Sequence, residues 1–263
     1  MKEENVRKIV RQGYAKAAKN ASCCGDTEIT ERIGYTKREI ESVPEGASFS
    51  LGCGNPIALA SLKKGETVVD LGSGGGFDCF LAANKVGENG KVIGVDMTPE
   101  MLDKARENLR KGKYKNVEFR LGEIENLPVA DNTADIIISN CVINLSPNKK
   151  QVFQEAFRVL KPGGRLMISD IVLLAKLPES VKRSVQAYVG CVSGAVMKDE
   201  YVQLIKDVGF KDVEIVEETR FPVDIVDDPT VKAIAKESGI SLAKTKECTN
   251  SVASIKVSGT KPK

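Results

Sequence analysis

The sequence predicts an α/β protein: a doubly wound, mostly parallel sheet with a small C-terminal α+β portion. Three observations predict it. From residue 65 onward, short apolar runs alternate with amphipathic helical stretches. A glycine-rich turn, Gly72-Ser73-Gly74-Gly75-Gly76, separates the first of those runs from its helix. The chain has 263 residues, 41% of them apolar, enough for one such domain and an appendage.

Residues 1 to about 20 read as a helix with Val6, Ile9, Val10, Tyr14 and Ala17 on one face. The polar stretch SCCGD follows. A short helix over Thr36 to Val43 ends at Pro44, and FSLGCGNP makes a glycine-rich turn before a short helix carrying Ile57, Leu59 and Leu62. ETVVDL is a buried strand, followed by the glycine turn and a helix through FDCFLAANKVG. KVIGVDM is the second strand, and TPEMLDKARENLRKG the second helix, with Thr98 as N-cap and Pro99 at its first position. VEFRLG and ADIIISN are strands three and four. A helix over 148–160 stops at Lys161-Pro162-Gly163-Gly164, and GRLMISDIVL is the fifth strand. Beyond residue 175, SVKRSVQAYVGCVSGA, KDEYVQLIKDVGF and PTVKAIAKESG read as helices, and VEIVEETRF and ASIKVSGTKPK as strands. The chain divides into an N-terminal helical segment (1–60), a central α/β domain (61–175) and a C-terminal portion that covers the sheet edge (176–263).

Composition narrows the function. Lys and Arg total 39 against 36 Asp and Glu, so neither nucleic acid nor a membrane surface is expected as partner. No apolar run is long enough to span a membrane and the opening residues do not read as a signal peptide, which predicts a soluble, cytoplasmic protein. The chain contains no His, which excludes Ser-His, Cys-His and His-metal mechanisms within it. It has seven Cys, an odd number suited to reduced thiols used in packing, catalysis or soft-metal binding.

Asp70, Gly72, Ser73 and Gly74 lie at the carboxyl end of the first strand, the edge where such sheets bind ligands. Glycines there let a ligand approach the backbone, and the free N–H groups of the helix start attract anionic groups. Asp96, followed by Met97, ends the second strand, placed to accept both hydroxyls of a ribose. A dinucleotide fingerprint read from Gly72 would need glycine where Phe77 stands, and Asp70 is suited to meet an ammonium. This favours S-adenosylmethionine (SAM) over NAD. The segment around Ile124 and Glu125 resembles the adenine-side segment of SAM methyltransferases, Lys161-Pro162-Gly163-Gly164 resembles their post-helix turn, and Asn140 ends strand four at the same edge.

Among the cysteines, Cys79 lies within a helix and reads as packing, and Cys248 as incidental. Cys53 sits between two glycines, where packing is hard to justify. Cys141 follows strand four at the cofactor edge, Cys191 lies in the covering portion, and Cys23-Cys24 is a vicinal pair suited to redox exchange or capture of a thiophile.

LGCGNP, DLGSGGGFDCFLA, VIGVDMTPEML, SNCVINLSPNK and GCVSGA together resemble the arsenite SAM methyltransferases, over about residues 20–200. The resemblance implies a Rossmann-like class I methyltransferase fold, SAM as methyl donor, no metal cofactor, and trivalent arsenic as substrate, as arsenite or its thiol conjugates. It implies Cys141 and Cys191 as the two constant arsenic ligands, Cys53 as the third, and Cys24 (or Cys23) as the N-terminal thiol. It also implies a Cys24–Cys53 disulfide restored by thioredoxin or a small thiol. Trivalent arsenic is soft and prefers thiolates, and its lone pair is the nucleophile, so no general base is needed. Alternatives are a quinone- or sterol-type SAM methyltransferase, which has no use for these thiols, and a thiol-rich arsenic-binding protein without catalysis. An NAD-linked oxidoreductase ranks last.

Overall fold

The structure, a computed structural model, describes residues 3–20, 30–31, 34–49, 52–56, 61–221 and 223–263. Runs of β-branched residues build a seven-stranded sheet: β1 (Thr67–Leu71), β2 (Lys91–Asp96), β3 (Val117–Leu121), β4 (Ala134–Asn140), β5 (Leu160–Leu173), β6 (Lys211–Arg220) and β7 (Val252–Thr260), in the order β3-β2-β1-β4-β5-β7-β6. The first five are parallel to one another, and β7 runs antiparallel between β5 and β6. The C-terminal portion is therefore continuous with the sheet. The predicted α/β class and mostly parallel sheet are both observed.

Side chains alternate along each strand, so the sheet divides two cores. Val69, Leu71 and Ile137 pack on one side under α5 (Lys149–Val159) and α8 (Lys198–Val208), through Phe153, Tyr201 and Ile205. Val68, Ile136 and Ile138 face α3 (Phe77–Val86) and α4 (Pro99–Gly112), through Phe80, Leu81 and Leu102. Helices on both faces explain why the central strands are apolar throughout.

A third cluster lies over the carboxyl edge. It joins Val10 of α1 (Glu3–Asn20) to Cys141, Leu145, Val181, Ala187 and Cys191. The helical run expected over residues 180–195 divides into α6 (Glu179–Lys182) and α7 (Val185–Val189), because the Ser184 side chain accepts from the Ala187 N–H and starts a new helix.

Other differences have local causes. The short helix read over Thr36–Val43 is α2 (Lys37–Glu41), closed at its start by a reciprocal Thr36–Glu39 capping box. Thr98 is the N-cap of α4 and Pro99 its first residue, as expected, although the Thr98 side chain makes no capping bond. β5 begins at Leu160, not Gly164: Leu160 leaves α5 extended and pairs with Ala134, and the register shifts before Ile136. α9 (Pro229–Ser238) was expected, whereas α10 (Leu242–Asn250) was not; Ser241 caps α10, and Thr245 is its buried residue, so it shows little apolar periodicity. The helix expected after LGCGNP was to carry Ile57, Leu59 and Leu62; residues 57–60 lie outside the described residues, and Leu62 is not helical. Among the described residues no helix is long and apolar enough to cross a membrane.

Phe80 is fully buried, edge-on to Phe119 at 5.8 Å between ring centroids. Replacing it by alanine removes both burial and the ring contact. Phe80→Ala is expected to lower unfolding stability by about 3–5 kcal/mol in urea titrations; a loss below about 1 kcal/mol would contradict this packing.

Candidate functional site

The strand order reverses between β1 and β4, and the crevice beyond their carboxyl ends is where doubly wound sheets bind ligands. The glycine turn after β1 and the loop after β4 meet there. A Cβ on Gly72, whose φ is +71°, would lie 2.3 Å from Val142, so that approach demands glycine. Gly74 (φ +51°) instead faces open space: a Cβ there meets nothing within 4 Å.

The resulting cleft is lined by the glycine turn, the ends of β2 and β4 and residues of α1. Asp70, Asp78 and Asp96 line it, all buried. Asp96 is oriented by the N–H groups of Gly74 (2.9 Å) and Thr98 (2.8 Å). Asp78 accepts from the Tyr35 hydroxyl at 2.5 Å and from Asn140 Nδ2 at 3.2 Å. Asp70 accepts from the Cys79 thiol at 3.2 Å, so Cys79 packs as expected and also donates. Burial pushes all three carboxyls above the usual carboxylate range, Asp78 to about 6, and the Asp78 charge adds to the rise at Asp70. Arg7 is the basic residue among the described lining residues, and it is engaged by Glu123 and Glu125, each at 3.4 Å. A cleft of carboxylates without a free cation favours a positively charged ligand. The Ser73 hydroxyl, buried and without a hydrogen-bond partner, offers a further polar contact on the wall.

Beside this cleft Cys53 and Cys141 meet from distant segments, and Cys191 packs next to them. Cys141 follows β4, and its sulfur, that of Cys53 and a carboxylate oxygen of Asp170 lie within 4.8 Å of one another. Cys191 shares an apolar cluster with Cys141 and Cys53, and its Sγ donates to the Cys141 carbonyl at 2.9 Å. Burial, then the neighbouring Cys191 and Cys53, push the Cys141 thiol well above its usual value, so without a ligand it stays protonated. Both Cys141 (φ +59°) and Cys191 (φ +62°) occupy the left-handed region, a strain of about 1–3 kcal/mol each that clusters at functional sites.

Missing side chains make the convergence possible. A Cβ on Gly54 would lie 2.1 Å from Ser169 Oγ, one on Gly52 2.6 Å from Asn140 Nδ2, and one on Gly194 2.1 Å from the Asn144 carbonyl. The glycines flanking Cys53 thus seat its loop against the ends of β4 and β5, and Gly194 seats the Cys191 loop against the turn after β4.

Every described candidate reaches one of these two regions. Asp70, Gly72, Ser73, Gly74, Asp96, Met97, Ile124, Glu125 and Asn140 line the cleft, as does Cys141. Glu125 is also held by Arg7 and by the Ser146 hydroxyl at 2.7 Å. Cys23 and Cys24 lie outside the described residues. Sequence reasoning missed Tyr35, Asp78, Tyr14 and Asp170. The Tyr14 hydroxyl reaches Cys191 from α1. Asp170 is fully buried in β5 and raised to about 6 by burial, against donors from Ile171, Tyr201 and Asn144. A lone acid in the apolar run ISDIVL was its available signal.

A methyltransferase-domain family model matches residues 62–209. The arsenite methyltransferase of Halobacterium salinarum is 49% identical over 230 residues, 81% of this chain and 59% of that protein. That of Aquipseudomonas alcaligenes is 36% identical over 247 residues, 89% of this chain and 68% of that protein. The crystal structure of an arsenic(III) S-adenosylmethionine methyltransferase from Chlamydomonas reinhardtii aligns with a TM-score of 0.63 at 31% identity, covering 95% of this chain and 73% of that one. The chain thus spans less than two thirds of the Halobacterium protein's length.

A short bis-alkylating thiol reagent should cross-link Cys53 to Cys141, detected by peptide mass mapping. Gly54→Ala, which drives a methyl into Ser169, should lower the cross-link yield at least fivefold; an unchanged yield would refute the seating of this loop.

Proposed function

The chain belongs to the arsenite methyltransferase family, and on that footing we propose that it transfers methyl groups from SAM to trivalent arsenic held by Cys53, Cys141 and Cys191. The observation that carries this reading is the meeting of the Cys53 and Cys141 thiols, with Cys191 donating to the Cys141 carbonyl, beside a carboxylate-lined cleft. A quinone- or sterol-type enzyme needs apolar substrate contacts there instead.

The cleft residues fit SAM, a dication at its sulfonium and ammonium with one carboxylate. Asp70 and Asp78 suit its positive groups, Asp96 its ribose hydroxyls, Met97, Ile124 and Glu125 its adenine, and the Gly74 wall and Ser73 hydroxyl its close approach. Bound there, SAM supplies an electrophilic methyl group, which the lone pair of arsenic takes up.

The chain's own contribution is to hold and orient. The three thiols displace hydroxyl or thiol groups from the incoming arsenical, each thiol proton leaving on the displaced group. Thiolate ligation raises electron density on arsenic, and fixing it beside the donor cleft supplies orientation, worth up to about 7–11 kcal/mol of barrier in well-aligned reactions. No histidine is required, because no proton leaves the nucleophile. In this reading the electrons that return arsenic to the trivalent state come from the Cys24 and Cys53 thiols as they form a disulfide. Thioredoxin or a small thiol then reduces that disulfide.

Wild-type protein given arsenite, SAM and a thiol reductant should release methylated arsenic, identified by product speciation. Cys141→Ser and Cys191→Ser should each lower turnover at least a hundredfold while SAM affinity changes less than about twofold; wild-type turnover in Cys141→Ser would overturn the assignment. SAM affinity should also depend on pH. Asp78 titrates at about 6, so the cleft loses a negative charge as pH falls through that value, and a cationic ligand binds less tightly below it. Calorimetric titration at pH 5 and pH 7.5 should show weaker binding at the lower pH, and a flat profile would exclude the role of Asp78.

A further inference from the structure

We propose that Asp170 is the fixed negative charge that stabilises arsenic as it becomes cationic during methyl transfer. This rests on the arsenite reading above. As the As–CH₃ bond forms and the S–CH₃ bond breaks, the bonding pair stays with the donor sulfur. Positive charge passes from that sulfur to arsenic. Arsenic is formally oxidised from the trivalent to the pentavalent state and the methyl group is formally reduced, with no further reactant.

The charge therefore leaves a cleft lined by Asp70, Asp78 and Asp96 and appears among the thiols. One carboxylate lies there: an Asp170 oxygen is within 4.8 Å of the sulfurs of Cys53 and Cys141. It is held rigidly. Asp170 accepts from the Tyr201 hydroxyl (3.0 Å), the Asn144 N–H (3.2 Å), Asn144 Nδ2 (2.9 Å) and the Ile171 N–H (2.9 Å). A buried carboxylate oriented before the reaction needs no reorganisation when positive charge develops near it, which is the condition for strong electrostatic stabilisation. The nearby Lys149 ammonium donates to the carbonyls of Ser146 (3.1 Å) and Asn144 (3.4 Å) rather than to Asp170, while its charge favours the ionised carboxylate. Nor is Asp170 needed to make thiolates, since the thiol protons leave on the groups displaced from the incoming arsenical.

Two readouts test this, one without turnover. Cys53, the partly exposed thiol of the set, is labelled with a cationic trimethylammonioethyl and an anionic sulfonatoethyl methanethiosulfonate, and the rate of each is measured by peptide mapping. Asp170→Asn should lower the cation-to-anion rate ratio several-fold; an unchanged ratio would show that the carboxylate exerts no field at the thiols and overturn the proposal. In turnover, Asp170→Asn should lower kcat about a hundredfold, with arsenite and SAM dissociation constants within about threefold of wild type. Arsenite binding lost in step with kcat would mark a structural role and overturn the proposal. Tyr201→Phe, which removes one donor and leaves the thiols intact, should lower kcat by less than Asp170→Asn and shift the labelling ratio in the same direction; no effect on either would also count against it. If the wild type labels as expected but methylates no arsenite, the arsenite reading fails while the field at the thiols stands.

Discussion

Asn140 joins the two halves of the site, and both depend on its carboxamide. It ends β4, one residue before Cys141. Its Oδ1 accepts from the Cys53 N–H at 3.1 Å, and its Nδ2 donates to the Gly54 carbonyl at 2.7 Å. The same Nδ2 reaches the Tyr35 hydroxyl at 2.9 Å and Asp78. One side chain thus fixes the thiol loop against the carboxylates of the donor cleft. A group that satisfies both a backbone N–H and a backbone carbonyl is costly to replace, because each partner left unpaired in the interior loses its full solvation. Gly52 must also stay bare for that amide to fit, since its Cβ position is already occupied by Asn140. The strand end, the amide and the glycine loop form one unit.

Electrostatics follow from that compactness. Without a ligand, burial raises the proton affinity of Asp70, Asp78 and Asp96, and at Asp70 the charges of Asp78 and Asp96 add to it, a cost that a bound cation relieves. Folding such a cleft is tolerable because the cost is shared with hydrogen bonds from Tyr35, Asn140, Cys79, Gly74 and Thr98. Near neutral pH the cleft therefore attracts positive charge, and a neutral or anionic ligand gains nothing from it. The ligand class is set by charge before shape.

The sheet and much of the site were legible in the sequence, for identifiable reasons. Strand ends and glycine turns are local signals, so Gly72, Asp96, Asn140 and Cys141 could be placed at one edge from the alternation of strands and helices. Tyr35 and Asp78 could not, and Asp170 was marked only by being a lone acid in an apolar run. An acid within a helix or strand normally reads as a solvated face, and only tertiary contacts show that these are buried. The approach of Cys53 to Cys141 spans distant segments and depends on Gly54 meeting Ser169, a pairing that no periodicity encodes. β7 was visible as a strand, but its insertion between β5 and β6 is a choice among edges, made by the nine register pairs it forms with β5. α10 lacked the apolar face by which helices are read.

The site's selectivity rests on how the sulfur positions are held. The thiols at 141 and 191 are buried, and both backbones are held at positive φ. Burial opposes ionisation, so the unligated Cys141 thiol stays protonated and is a poor ligand for a hard cation, which prefers several oxygens. A soft, thiophilic centre differs because its bonds to sulfur are strong enough to displace the proton, and in the proposed reading the displaced oxygen or thiol group carries that proton away. The surroundings that impose these backbone conformations also fix where both cysteines sit before a ligand arrives, so less freedom is lost on binding. The lack of histidine fits the same logic, because an imidazole placed here would offer a borderline ligand and a base that the transfer does not need.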